Sequence, residues 1–156
     1  MRGSDAHALA EYGTAQGERM KSSKIAILGA GSWGTAVAIH LAHIGKHVML
    51  WGHNSQHIHD MIETRQNNKY LPDVMFPPTL QPNANLNACL KHAANVIIAV
   101  PSHAFRTLLP QLTKPLNGIA WLTKGIAPDT HQLLSQLVAE QWGEWKNFET
   151  RSRIYT

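Results

Sequence analysis

A chain of 156 residues, 44% apolar and with five tryptophans, has the material for one globular domain with a real core and little more. Its formal charge of +4 is moderate and no three Lys or Arg residues run together, which argues against a nucleic-acid partner. The lone Cys89 excludes an internal disulfide, and no apolar stretch approaches the ~20 residues that span a bilayer, so a cytoplasmic chain without membrane insertion is expected.

Residues 1–23 are polar, glycine-bearing and without periodicity, and read as a disordered leader with Met20 as a candidate natural start. From Lys24 the pattern alternates strand and helix. Residues 24–28 form a first β-branched strand, which feeds Gly29-Ala-Gly31-Ser32-Trp33-Gly34 and then a helix over 35–44 that stops at Gly45. In this setting the three glycines of G-x-G-x-x-G have separate tasks. Gly29 turns the chain off the strand, Gly31 leaves room for a pyrophosphate to approach the backbone, and Gly34 lets the helix pack closely on the sheet. The helix N-terminus adds free N–H groups and a partial positive charge.

A second strand is expected over 47–51, and a helix over 56–64 with Ile58, Met61 and Ile62 on one face. The long connection 67–85 carries Pro72, Pro77, Pro78 and Pro82, and has room for a short edge strand near 79–81. A helical turn or two over 86–92 leads to the apolar run 95–100, expected as a buried parallel strand. Pro101 ends it, Ser102 is placed to cap a helix over 103–112, and a further strand covers 118–123. Asp129 or Thr130 is the expected cap of a last helix running to about residue 142. The fold class is therefore α/β, a Rossmann-type doubly wound, mainly parallel sheet with helices on both faces over residues 24–142.

In such sheets ligands bind outside the carboxyl ends of the strands. The residues just past each strand are then the candidates: Gly29–Gly34, Trp51-Gly52-His53-Asn54, Pro101-Ser102-His103 and Lys124-Gly125, all expected to converge on one crevice. No acid stands in residues 51–54 to grip a ribose 2′-hydroxyl, so NADP is tolerated as well as NAD, and His53 can donate to a 2′-phosphate. Lys124 is the one obligate cation on this edge. A solvated surface lysine is the ordinary alternative, but a strand end beside Gly125 suits a phosphate contact.

The ten histidines do not read as a metal site. His57 and His59 fall on different helix faces, and no ligand set forms around His40 and His43. An activated-nucleophile motif is also missing.

The blocks Gly29-Ala-Gly31-Ser-Trp-Gly34-Thr-Ala, Leu50-Trp-Gly-His53, Asn68-Lys-Tyr70-Leu-Pro72, Val100-Pro101-Ser-His103 and Thr123-Lys124-Gly125 occur in this order. Together they resemble the bacterial NAD(P)-dependent glycerol-3-phosphate dehydrogenases, over residues 24–142. The resemblance implies interconversion of dihydroxyacetone phosphate and sn-glycerol 3-phosphate for phospholipid synthesis, with a phosphorylated small molecule as substrate and a homodimer in the full-length form. It implies cofactor contacts from Ser32, Trp33 and His53, an approach of Tyr70 to the cofactor, and a contact of Lys124 with both cofactor and substrate; the motif and the strand ends add Gly29, Gly31, Gly34 and Pro101 as expected cofactor-binding residues. The family continues into a helical substrate domain that carries the proton-handling lysine. Residues 143–156 do not resemble that continuation, so no catalytic residue is expected here and the chain alone is expected to be inactive. Two other readings stand beside the enzyme: a non-catalytic dinucleotide-binding fragment or redox-sensing module, and a related dehydrogenase for another hydroxy substrate.

Overall fold

The computed structural model describes residues 24–91, 93–115 and 117–143. The expected leader, His92 of the expected helix over 86–92, and residues 144–156 of the tail lie outside the described residues. The described chain falls into two compact units. One runs to Val100 and includes Pro115–Thr123; the other holds Pro101–Lys114 and the chain from Lys124 onward.

The first unit is built on a five-stranded parallel sheet. Its strands are β1 (Lys24–Leu28), β2 (Val48–Trp51), β5 (Leu80–Asn83), β6 (Ala93–Ile98) and β7 (Gly118–Trp121), in the order β5-β2-β1-β6-β7. The chain moves outward from β1 through β2 to β5, then returns to the other side of β1 for β6 and β7. The strand order reverses between β1 and β6, and their carboxyl ends flank the switch point of a Rossmann-type fold. In register, Ile27 faces Leu50 on one side and Ile97 on the other, and Leu28 faces Trp51 and Ile98.

Side chains alternate across β1. Ile25 and Ile27 join a core with Ala38, Ile39, Val48, Leu50, Ile58, Met61, Phe76 and Leu80, while Ala26 and Leu28 on the opposite face are also fully buried. Helix α1 (Ser32–His43) buries Gly34, Thr35, Ala38, Ile39 and Ala42, one stripe at helical spacing. His40 and His43 occupy its last turn, where the macrodipole favours positive charge, and Gly45 with φ of 83° lets the chain leave. α1 begins three residues earlier than the sequence pattern placed it, because Gly31 in extended conformation takes the cap position.

Helix α2 (Ser55–Thr64) is capped by Asn54, whose Oδ1 accepts from the His57 N–H at 2.9 Å. At its other end Arg65 has φ of 55°, an uncommon conformation for a side chain this size. Its guanidinium donates to the carbonyls of Leu80 (3.1 Å) and Pro77 (2.8 Å) and sits 5.9 Å from the Phe76 ring centre. These contacts pin the proline-rich connection as it enters β5. That connection is more structured than the expected loop: β3 (Gln66–Asn67) and β4 (Leu71–Met75) pair antiparallel before β5, the sheet's edge strand. A short α3 (Leu86–Leu90), capped by Asn85, leads into β6.

Cys89 on α3 is buried, and desolvation pushes its thiol from 9.0 up to about 11. The folded thiol therefore stays neutral where an unfolded one ionises, so this group's share of stability is complete below pH 9 and is lost between pH 9 and about 11. Reaction of the native chain with a disulfide reagent near pH 8 is expected to be slow, with full reactivity on unfolding in urea. Fast native labelling would show that the α3 region opens readily.

The apolar run after α3 pairs two residues earlier than expected. β6 ends at Ile98, so Ala99 and Val100 rather than Pro101 are the first residues beyond it. In the second unit, α4 (Ser102–Leu108) has Pro101 at its N-cap and no side-chain cap, so Ser102 is the first helical residue and not the cap. A 3-10 turn at Leu109–Gln111 comes next, where Pro110 cannot supply the next helical N–H. The last helix, α5 (Leu134–Trp142), has Leu133 at its cap position and so starts three or four residues later than a cap at Thr130 or Asp129 suggested. A bridge between Ile126 and Leu133 encloses those residues in a turn, Asp129 lies 3.6 Å from Arg106, and the Leu133 N–H is capped by Gln136 Oε1 at 2.8 Å.

Candidate functional site

Three glycines come after β1, and the structure gives each a different surrounding. Gly29 has φ of 129°, and a Cβ there would run into the Ala99 carbonyl, with the Ala99 C atom at 2.7 Å and Val100 N at 3.1 Å. A side chain is excluded both by conformation and by the close approach of the segment leaving β6. At Gly34 a Cβ would meet the Gly29 carbonyl oxygen and come within 3.2 Å of Ala99 Cβ, so the first turn of α1 rests directly on the strand end.

Gly31 is the opposite case. Its φ of −81° and ψ of −174° are open to any residue, and among the described residues nothing beyond its chain neighbours lies within 4 Å of where its Cβ would stand. Neither the backbone nor the packing of the protein calls for glycine here. Open space beside bare backbone is left at the mouth of a helix.

The N-terminus of α1 has no side-chain cap hydrogen bond and no acid in its first turn, whereas α2 and α3 are both capped by asparagine. Its first intrahelical bond is the Thr35 N–H to the Gly31 carbonyl at 2.9 Å. The earlier N–H groups of the turn are thus offered to an anion. Ser32 is exposed beside them, and Trp33 is 74% exposed, far beyond the norm for so large an apolar ring.

The end of β2 is placed against this loop by Gly52, where a Cβ would approach Ile58 Cδ1 at 2.9 Å and Ala30 Cβ at 3.0 Å. The next residue, His53, is exposed, and Asn54 is committed to capping α2. Trp51 is a structural residue: its indole N–H donates to the Ala84 carbonyl at 3.0 Å and ties β2 to the start of α3. Tyr70 is 43% exposed, stands edge-to-face against His57 with ring centres 5.4 Å apart, and has Lys69 Nζ 5.1 Å from its ring centre.

Sequence reasoning did not single out Asn67. It is fully buried, and it hydrogen-bonds the Ala30 carbonyl, Thr35 Oγ1, His57 and the Tyr70 N–H. Its partners lie up to 37 residues away, and an asparagine in a polar connection carries no local signal of such a role.

Gly29, Gly31, Ser32, Trp33, Gly34, His53 and Tyr70 all belong to the first unit, and the hydrogen bonds and close approaches above tie the glycine loop, the end of β2 and the Asn67–Tyr70 segment together. Pro101 and Lys124 belong to the second unit, where both are exposed. Among the described residues no three His, Cys, Asp or Glu side chains group as a metal site, and no helix is long and apolar enough to cross a membrane.

Comparison with known proteins gives a consistent result. The family described as the NAD-dependent glycerol-3-phosphate dehydrogenase N-terminus matches residues 24–149. The glycerol-3-phosphate dehydrogenase [NAD(P)+] of Legionella pneumophila (strain Lens) is 56% identical over 124 residues, which cover 80% of this chain and 38% of the relative. The enzyme of the same name from Geobacillus kaustophilus is 47% identical over 125 residues, covering 78% of this chain and 36% of that protein. A crystal structure of glycerol-3-phosphate dehydrogenase from Coxiella burnetii superimposes with a TM-score of 0.74 at 42% identity, over 79% of this chain and 38% of that one. The yeast enzyme, at 23% identity and a TM-score of 0.68, shares the fold. The chain thus spans less than two fifths of the length of the first three of these relatives. A match that contains every described residue, together with this sheet and glycine loop, places the chain in the NAD-dependent glycerol-3-phosphate dehydrogenase N-terminal family.

Proposed function

We propose that this chain supplies the dinucleotide-binding half of an NAD(P)-linked oxidoreductase that interconverts dihydroxyacetone phosphate and sn-glycerol 3-phosphate, for glycerophospholipid synthesis in the cytoplasm. The observation that carries the reading is Gly31: a backbone position that needs no glycine for its own fold, bordering open space at an uncapped helix N-terminus. A cradle that a single Cβ would begin to fill fits a pyrophosphate, which needs N–H donors at close range and no side chain in the way. Bound there, the cofactor supplies the hydride through its nicotinamide.

In this reading Gly29 and Gly34 set the shape of the loop, and the N–H groups of the first α1 turn hold the diphosphate. Ser32 and Trp33 flank it, and Tyr70 approaches from the β3–β4 segment. His53, the exposed residue beyond β2, faces the adenosine ribose. Pro101 adds a cofactor contact, and Lys124 meets both the cofactor and the phosphorylated substrate. The full-length form pairs as a homodimer.

Cofactor choice provides the test. With no acid in residues 51–54, NADP(H) is expected to bind at least as tightly as NAD(H), with Trp33 fluorescence as the readout. His53→Asp is expected to swing the preference toward NAD by tenfold or more, about 1.4 kcal/mol, because a carboxylate repels a 2′-phosphate and accepts from a 2′-hydroxyl. A wild-type chain that already prefers NAD by that margin overturns the role of His53, and one that binds neither dinucleotide overturns the function.

A further inference from the structure

The buried amide of Asn67 has a geometry that bears directly on how the glycine loop meets a ligand. Nδ2 donates to the Ala30 carbonyl at 3.0 Å and to Thr35 Oγ1 at 2.8 Å. Oδ1 accepts from the Tyr70 N–H at 3.2 Å and lies 2.9 Å from His57 Nε2. An asparagine amide has two N–H donors and two acceptor lone pairs, so all four are engaged. Only the NH₂ end can face a carbonyl oxygen, which fixes the amide's orientation. Oδ1 is then turned to His57, and Nε2 of that ring carries the proton.

The Ala30 carbonyl and the Gly31 N–H belong to one peptide unit. That unit is planar and trans, so the two groups point in opposite directions. Holding the carbonyl inward on a fully buried side chain holds the Gly31 N–H outward, at the residue whose Cβ position is open space. Thr35, the second acceptor of Nδ2, sits in the first turn of α1, so the same amide ties the loop to the helix mouth.

We propose that Asn67 is a positioning residue for diphosphate recognition. Its amide locks the Ala30–Gly31 peptide so that the Gly31 N–H faces the diphosphate of a dinucleotide, and it anchors the backbone of Tyr70 to the same lock. This rests on the dinucleotide reading and adds to it a residue that touches no ligand. Aspartate cannot substitute, because a carboxylate would turn lone pairs toward the Ala30 oxygen and drive that peptide from its orientation.

The test compares ligands with and without a diphosphate on the 156-residue chain and its Asn67→Asp variant: NADP+ against 2′,5′-ADP, and NAD+ against 5′-AMP. The variant is expected to lose about 30-fold or more in affinity for the dinucleotides and about threefold or less for the mononucleotides. Equal losses for both classes, or no loss, overturn the proposal while leaving the dinucleotide site standing. A wild-type chain that binds neither dinucleotide overturns both. If Asn67→Asp does not fold, amide NMR of the wild type decides. The Gly31 amide proton is expected to move downfield on adding NADP+ and not 2′,5′-ADP, with the Asn67 side-chain protons exchanging slowly throughout. An unmoved Gly31 amide, or rapid exchange at Asn67, overturns the proposal.

Discussion

Gly31→Val is expected to leave the chain folded and to abolish dinucleotide binding, whereas Gly34→Ala, a smaller change three residues on, is expected to damage the fold itself. The difference lies in the surroundings that each Cβ would meet. At Gly31 the backbone is extended, a conformation that β-branched residues favour, and among the described residues no atom beyond its chain neighbours lies within 4 Å of the new carbon. Valine is a poorer helix cap than glycine but restrains the unfolded chain, so the net stability change is expected to stay within about 1 kcal/mol. Its two methyl groups occupy the space that a pyrophosphate needs, and an affinity loss of about a hundredfold or more, roughly 2.7 kcal/mol, is expected.

At Gly34 the added carbon collides with the Gly29 carbonyl oxygen, which is backbone and cannot swing aside as a side chain would. The helix must lift off the strand, an overpacking cost of about 1–3 kcal/mol. Gly29→Ala adds a disfavoured conformation at φ of 129° to a close approach against the Ala99 backbone, and is expected to cost about 3 kcal/mol or more. Urea unfolding and NADP(H) titration of the three variants separate the roles. A Gly31→Val chain that is folded and binds with unchanged affinity would remove the glycine loop from the proposed site.

The glycine loop was legible because its logic is local. The residues that explain Gly34 are Gly29, five positions back, and one contact from the segment leaving β6, and a strand-loop-helix pattern anticipates both. The sheet was legible for a similar reason: apolar runs separated by helical segments leave few alternatives to parallel pairing. Boundaries were less so. The run over 95–100 is the apolar one, yet β6 is set by its partner. Lys24 pairs with Ala93, so the strand starts among two alanines of weak strand preference and ends at Ile98. Asp129 and Thr130 have the chemistry of helix caps, but the bridge from Ile126 to Leu133 uses that stretch as a turn, with His131 at φ of 54°. Asn67 was hidden for the strongest reason. Its role exists only once Ala30, Thr35, His57 and Tyr70 have been brought together, and no pattern along the chain announces that meeting.

Lys124→Ala, made in a protein of the relatives' length, is expected to cut kcat/KM for dihydroxyacetone phosphate by roughly 30- to 1,000-fold, about 2–4 kcal/mol, with a much smaller effect on dinucleotide affinity. Thr123, the residue before it, is anchored: its hydroxyl donates to the Val100 carbonyl at 2.7 Å, tying the chain beyond β7 to the segment that leaves β6. Lys124 comes directly after it, exposed, and among the described residues its ammonium meets no carboxylate. An exposed cation that meets no carboxylate among the described residues suits a dianionic phosphate. The charge-assisted contact gains strength when a substrate excludes water around it. An ordinary solvated lysine predicts a change within about 0.5 kcal/mol. The two outcomes differ by at least an order of magnitude in rate, so a steady-state comparison at subsaturating substrate separates them. Measuring dinucleotide affinity on the same two proteins shows which ligand the lysine serves. A loss confined to kcat/KM assigns Lys124 to the substrate phosphate, and an equal loss in dinucleotide binding assigns it to the cofactor instead.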